Sequence, residues 1–460
     1  MPMDWKTLLN PNRRRTSTLT SDHRAEFERD FDRSVFSTPV KRLQDKAQVF
    51  PLEPHDAVRT RLTHSLEVSS VARGLGRKIA SWLLDQKAIE PGMDRSIEAI
   101  AATCGLIHDL GNPPFGHAGE DAIRAWFLRR NDQKPLSDEL TSQQQIQDFL
   151  KFEGNAQSLR LVATLQVLAD YKGLNLTYGT LSALGKYVAS SDQADGAGRD
   201  RARKKPGYFA SEADIVRQVR DATGTGDARN PICYLVEAAD DAVYLPADVE
   251  DAVKKNVLSW RTVEDALKKS TASSVRTALD LQQRILKADG ASVPDDLEDD
   301  IKAAAFRTAA IRVMADEAFA VFQANYAAIM EGRYTGTLLE DSNAKDLSDC
   351  LRTLGKTYVY PTRSTLTLEL MGRKVIGDLM DVFWEGAQAL PKDKAPKPAT
   401  FPGKAAALFS PNYRKVFQYF VSERCDLPEQ YHRFQLVTDY ICGMTDSFAK
   451  RLHAELFNGR

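Results

Sequence analysis

Apolar residues recur along this chain at intervals of three and four, the spacing that lines one face of an α-helix, and alternating runs are few. The stretch His64, Val68, Val71, Leu75, Ile79, Trp82 shows the pattern plainly and puts His64 on the inward side. The same spacing predicts helices over Ile97–Leu110, Ala118–Arg129, Ser158–Tyr171, Pro231–Trp260, Ile301–Met330, Leu366–Ala389 and Tyr431–Phe457. The expected fold is mainly α, with few or no strands. Three polar, Gly- or Pro-rich stretches interrupt it, Ser190–Gly207, Lys287–Asp300 and Leu390–Lys404, and read as loops or mobile inserts.

Composition narrows the partners. The chain carries 62 Lys and Arg against 63 Asp and Glu, a net charge of -1, so no global field draws it to nucleic acid or membrane. A basic surface has to be local, and Arg199, Arg201, Arg203, Lys204 and Lys205 form one such run. A solvated loop is its simpler reading and a polyanion contact the rival. Five separated cysteines without a C-x-x-C pair argue against a disulfide framework or a zinc ribbon. Met1–Arg15 is polar and basic without an apolar signal core, and no run of about 18 apolar residues occurs, so a cytoplasmic protein without membrane contact is expected.

Three short stretches carry candidate metal chemistry: Arg61-Leu62-Thr63-His64, Ile107-His108-Asp109-Leu110-Gly111 and Glu237-Ala238-Ala239-Asp240-Asp241. His108 and Asp109 sit where a helical run meets Gly111-Asn112-Pro113-Pro114, which ends a helix and lets neighbouring side chains reach one ion near the axis end. Asp240 follows Ile232 and Val236 at steps of four, on the apolar side of its helix, where an unpaired carboxylate costs several kcal/mol. A divalent cation shared by His64, His108, Asp109 and Asp240 removes that cost, and a buried salt bridge is the competing reading. His117 and Glu120, three apart at the start of the next helix, share a face; a carboxylate beside an imidazole raises its proton affinity and suits general acid or base work. A helix-start capping arrangement is the plainer alternative. Arg61, one turn before His64, is placed to meet a phosphate, or else forms an ordinary ion pair.

A lone His, a His-Asp pair about 44 positions later and an Asp-bearing helix further on resemble the HD phosphohydrolase superfamily. The runs His108–Glu120, Arg61–Val68 and Tyr234–Asp241, with Phe152–Gln157 and Asp439–Asp446, narrow the resemblance to the deoxyguanosine triphosphate triphosphohydrolase family. It implies a large all-helical HD-domain fold: an arm and helices over 1–60, a catalytic core over 61–260, and a helical C-terminal region over 261–460 that completes the nucleotide site and supplies oligomer contacts. It also implies His64, His108, Asp109 and Asp240 as metal ligands and His117 and Glu120 near the scissile bond. Tyr244 and Asp248 then meet the sugar 3'-hydroxyl; their steps of four from Asp240 independently put all three on one face. Lys186 and Tyr187 resemble the family's Lys-Tyr pair beside the triphosphate, although Val188-Ala189 follows where the family usually has proline. Arg433, ahead of the Asp439–Asp446 run, is read as a further phosphate-neutralising cation.

The function expected is metal-dependent hydrolysis of dGTP, or another dNTP, to deoxynucleoside and tripolyphosphate, with one Mg, Mn, Fe or Co ion per site. The resemblance also implies a homo-oligomer up to a hexamer, and regulation by a nucleotide or single-stranded DNA effector. The rivals are an HD phosphodiesterase or monophosphatase, and a nucleotide-sensing or single-stranded-nucleic-acid-binding HD protein.

Overall fold

The computed structural model describes residues 2–16, 23–50, 52, 58–166, 170–287, 297–424 and 426–458. Among these residues helices dominate, and the only sheet is a parallel pair, Ala189–Ser190 with Pro206–Tyr208, in which Ala189 faces Pro206. The fold is mainly α, as the spacing predicts.

Local chemistry sets the helix starts that matter. The Thr60 side chain accepts from Thr63 N and caps Arg61–Asp85, the His64 helix. Asn230 caps Pro231–Lys254, the Asp240 helix, by accepting from Ile232 N, and Pro231 takes the first position, where no amide hydrogen is needed. The His64 helix packs along Met93–Ile107, and the Asp240 helix packs on both and on Glu298–Ala324. These four bury one apolar cluster that includes Val68, Leu75, Ile79, Ile100, Leu235, Val243, Phe306 and Met314. A second cluster, with Ile123, Phe127, Phe383, Phe434 and Ile441, joins Gly116–Gln133, Arg363–Ala389 and Glu429–Cys442. Met93–Ile107 serves both, giving Cys104 to the first and Leu106 and Ile107 to the second. Its C-terminal end, where His108 and Asp109 follow, is therefore held on two sides.

Several expected helices are shorter or divided. Ser158–Tyr171 is not one helix: Gly154–Arg160 passes into a single wide turn at Leu161–Leu165 and stops, and residues 167–169 lie outside the described set. Leu159 through Leu165 are buried on every side, so their apolar run reports burial rather than a helical face, and Val162 O accepts instead from Leu174 N at 2.8 Å. Pro231–Trp260 ends at Lys254, with Asn256 in the left-handed region, and Ser259 caps a new helix from Trp260. Asn325 divides Ile301–Met330, and Gly443-Met444-Thr445 divides Tyr431–Phe457, Thr445 capping the second part.

Of the expected loops, Ser190–Gly207 is turns and bends, mostly exposed from Asp192 to Arg199, between the ends of the two strands and with a 3-10 turn at Arg201–Arg203. Most of Lys287–Asp300 lies outside the described residues, and Glu298 already begins a helix. Leu390–Lys404 is irregular until Phe401. Among the described residues no helix is long and apolar enough to cross a membrane.

Candidate metal centre and its cavity

Three elements bring four donors together. His64 lies at the fourth position of its helix and is 1% exposed; His108 caps the end of Met93–Ile107; Asp109 follows; Asp240 comes from the middle of Pro231–Lys254. Donor atoms of His64, His108 and Asp109 lie within 4.8 Å of one another. Asp240 Oδ1 stands 3.2 Å from His64 Nε2 and 3.5 Å from His108 Nε2, and Asp109 Oδ1 is 3.6 Å from His108 Nε2. The histidines nevertheless lack hydrogen-bond geometry: both ring nitrogens of His64 and Nε2 of His108 are buried without a partner. Orphaned imidazole nitrogens facing two carboxylates fit a divalent cation with mixed nitrogen and oxygen ligands. His108 Nδ1 meets Gly105 O at 2.8 Å, and because a carbonyl only accepts, Nδ1 carries the hydrogen and Nε2 is left with a lone pair that could ligate a cation.

The local field points the same way. Burial works against the charged form of His108, but Asp109 and Asp240 raise its pKa to about 9. Burial likewise opposes the Asp109 carboxylate, yet His108 and Arg61, which donates to Asp109 Oδ2, pull it down to about 2. Asp240, against its burial, is held well below the usual carboxylate range by His108, His64 and Lys186. A centre negative enough to hold a proton this tightly favours a cation in its place.

The centre forms part of the wall of a cavity of about 530 Å³. Arg61, Lys186, Tyr187, Tyr244, Asp248, His117 and Glu120 all line it, so the structure gathers these expected site residues with His108, Asp109 and Asp240. Lys186 Nζ lies 3.8 Å from Glu237 and 3.9 Å from Asp240, which outweigh its burial and raise its pKa well above the ordinary value. Asp248 accepts from the Tyr360 hydroxyl at 2.8 Å, and burial pushes its pKa up to about 7.

Residues 61–166 match the HD domain, and residues 413–455 match the phosphohydrolase-associated domain. The chain is 37% identical to a deoxyguanosinetriphosphate triphosphohydrolase-like protein of Listeria innocua, with 99% of each chain covered. It is 32% identical to a similarly named protein of Synechocystis, again over 99% of each, and 32% identical to a deoxyguanosinetriphosphate triphosphohydrolase of Yersinia pseudotuberculosis over 92% of each. The chain belongs to the deoxyguanosinetriphosphate triphosphohydrolase family. It is a dGTPase-like enzyme of the HD type.

Two expectations need correction in this family member. Arg433 does not reach the cavity. It donates to the carbonyls of Ala387 and Leu390 at a helix C-terminus and pairs with Glu429 one turn earlier on its own helix, which occupies the guanidinium away from the cavity wall. His117 and Glu120 share a face, but His117 Nδ1 lies 3.9 Å from Glu120 Oε2, too far for a hydrogen bond, and Arg124 takes Glu120 Oε1. Burial and the neighbouring Glu153 push the Glu120 pKa up, and the charge it carries is met by Arg124 rather than by the imidazole. Although its side chain is 94% exposed, partial desolvation, then Arg61 and Lys205, lower the His117 pKa, the opposite of the expected direction.

The turn before His117 is strained. Phe115, at φ 63°, and Gly116, at φ 57°, are both left-handed, which costs a residue with a Cβ about 1–2 kcal/mol.

Sequence reasoning missed several cavity residues. Lys205, last of the basic run, faces the cavity and reaches Glu153 at 3.0 Å, whereas Arg201 pairs with Glu340 and Arg203 with Asp200 and Asp227. Tyr360 also lines the cavity, and Arg352, on the helix before it, stands behind the wall 3.5 Å from Asp241, yet neither belongs to a motif. Glu153 and Asn155 were visible within the Phe152–Gln157 run, without a local cue to their role.

Proposed function

We propose that this enzyme hydrolyses dGTP, with other deoxynucleoside triphosphates as alternative substrates, to the deoxynucleoside and inorganic tripolyphosphate. The observation that carries the reading is the joining of four metal donors, His64, His108, Asp109 and Asp240, to a cavity with cationic side chains Arg61, Lys186 and Lys205 on its wall. A triphosphate brings about four negative charges, more than one divalent ion offsets, and these cations supply the remainder. Guanine preference is supported by the names of the relatives.

The four donors would hold Mn, Mg, Fe or Co, which when bound polarises a phosphate oxygen and lowers the pKa of water. Arg61 links the donor set to the cavity, since it already pairs with Asp109, and Lys186 stands over Asp240. His117 handles the proton at the leaving 5'-oxygen. Arg61 and Lys205 repel the imidazolium, so a bound polyanion that neutralises both shifts the ring towards its protonated form when substrate is present. Tyr244 and Asp248, one and two turns beyond Asp240, line the side proposed for the sugar.

The test is product analysis with each dNTP and NTP in the presence of Mn or Mg. We expect deoxyguanosine and tripolyphosphate from dGTP, and loss of turnover and of metal binding in Asp240→Asn. Release of pyrophosphate or single phosphate from dGTP would replace this reading with a phosphodiesterase or phosphatase.

A further inference from the structure

We infer that Asp446, in the C-terminal region that matches the phosphohydrolase-associated domain, is a positioning residue for His117: it clips the left-handed Phe115-Gly116 turn from which His117 projects into the cavity. The inference rests on the proposed role of His117.

Asp446 is 1% exposed, and each of its carboxylate oxygens has one backbone partner. Oδ1 accepts from Phe115 N at 2.9 Å, and Oδ2 accepts from Ala47 N at 3.0 Å. Both partners line the cavity, so one carboxylate fixes two of its wall segments from 331 and 399 residues away. Lys46, also buried, completes the clip. Its Nζ donates to Asn112 O at 2.6 Å and to Cys442 O at 2.7 Å, and its own carbonyl accepts from Arg61 N at 2.9 Å. The loop from Asn112 to Phe115, the start of the His64 helix and the break between the last two helices thus meet at one lysine and one aspartate.

The turn needs such a clip because Phe115 holds a backbone conformation that a residue with a Cβ avoids unless its surroundings impose it. An amide hydrogen anchored by a charged acceptor is one constraint, and the ring is the second. A Cβ added at Gly372 would lie 2.7 Å from Phe115 Cγ, so the ring occupies the space that this glycine leaves open. Releasing either end lets Phe115 relax to negative φ, which redirects the first turn of Gly116–Gln133 and swings His117 away. The metal donors stand on other elements and stay in place.

The experiment compares Asp446→Ala and Gly372→Ala with the wild-type holoenzyme. It reads kcat and KM for dGTP, Mn affinity by electron paramagnetic resonance, thermal stability, and the His117 ring signal in histidine-labelled protein, assigned with His117→Gln. Both variants should lower kcat tenfold or more with KM and Mn affinity within threefold, and both should shift or broaden the His117 signal. Gly372→Ala acts from the opposite side of the turn and keeps the test intact if Asp446→Ala folds poorly. An unmoved His117 signal, an unchanged kcat, or Mn affinity and stability falling in step with kcat would overturn the inference. If wild type fails to cleave dGTP, the proposed function is lost, and the His117 signal alone decides whether the clip exists.

Discussion

Gly111, two residues after Asp109, tests how tightly the donor turn is seated. A methyl group added there would lie 2.2 Å from Gly154 O and from Ser158 N, and 2.6 Å from Gln157 C. All three are backbone atoms at the start of a buried helix and cannot rotate aside, so about 1.2 Å of separation must open to reach 3.4 Å, the near edge of ordinary contact. That movement also stretches two hydrogen bonds through Ser158, whose Oγ accepts from Gly111 N at 2.8 Å and donates to His108 O at 3.1 Å. Overpacking costs about 1–3 kcal/mol and each of the two weakened hydrogen bonds up to about 1 kcal/mol, so Gly111→Ala should destabilise by about 3–5 kcal/mol. With an unfolding entropy of about 2 cal/mol/K per residue, that lowers the Tm of this 460-residue chain by about 3–5 °C. The functional loss should be larger, because a shift of about 1 Å in His108 and Asp109 can cost about 100-fold in turnover. Gly74→Ala is the control: it lies in the His64 helix with nothing within 4 Å and should stabilise by up to about 1 kcal/mol. Thermal unfolding with Mn titration reads both. Wild-type Tm and Mn affinity in Gly111→Ala would refute the argument that contact with the Gly154–Arg160 helix seats the donors.

Arg433→Ala should lower stability by about 2–3 kcal/mol, through loss of the cation on the Ala387 and Leu390 carbonyls, while KM for nucleotide stays within twofold; a tenfold rise in KM would return Arg433 to the phosphate site. His432, whose pKa burial and then Arg160 lower to about 4, stays neutral in the fold, so its contribution is complete above about pH 6.5 and is lost as pH falls towards 4. Urea midpoints should show the wild type losing about 3 kcal/mol more than His432→Leu over that window, and parallel pH profiles would contradict it.

How much of this was legible beforehand depends on which physics wrote it. A helix that buries one face must space its apolar residues at three and four, so His64–Trp82 falls inside Arg61–Asp85 without further information. Where the chain is buried on every side, as from Leu159 to Leu165, no polar face marks the period, and the expected helix to Tyr171 fails. The donor quartet could be anticipated because each member shows a local oddity, a polar group on an apolar face or at a forced helix end. Tyr360 shows none, and only the closed fold brings it to the cavity; the basic run flagged Lys205 no more than its four neighbours, and packing alone turns it towards Glu153 and the cavity. The His117–Glu120 pair marks the limit most clearly. Spacing places both on one face, yet the sign of their interaction turns on whether the carboxylate is charged, and that is decided by burial, by Glu153 from another segment and by Arg124. Charge state is a property of the assembled surroundings, so a motif identifies which groups meet, and only the packed structure determines the protonation state in which they meet.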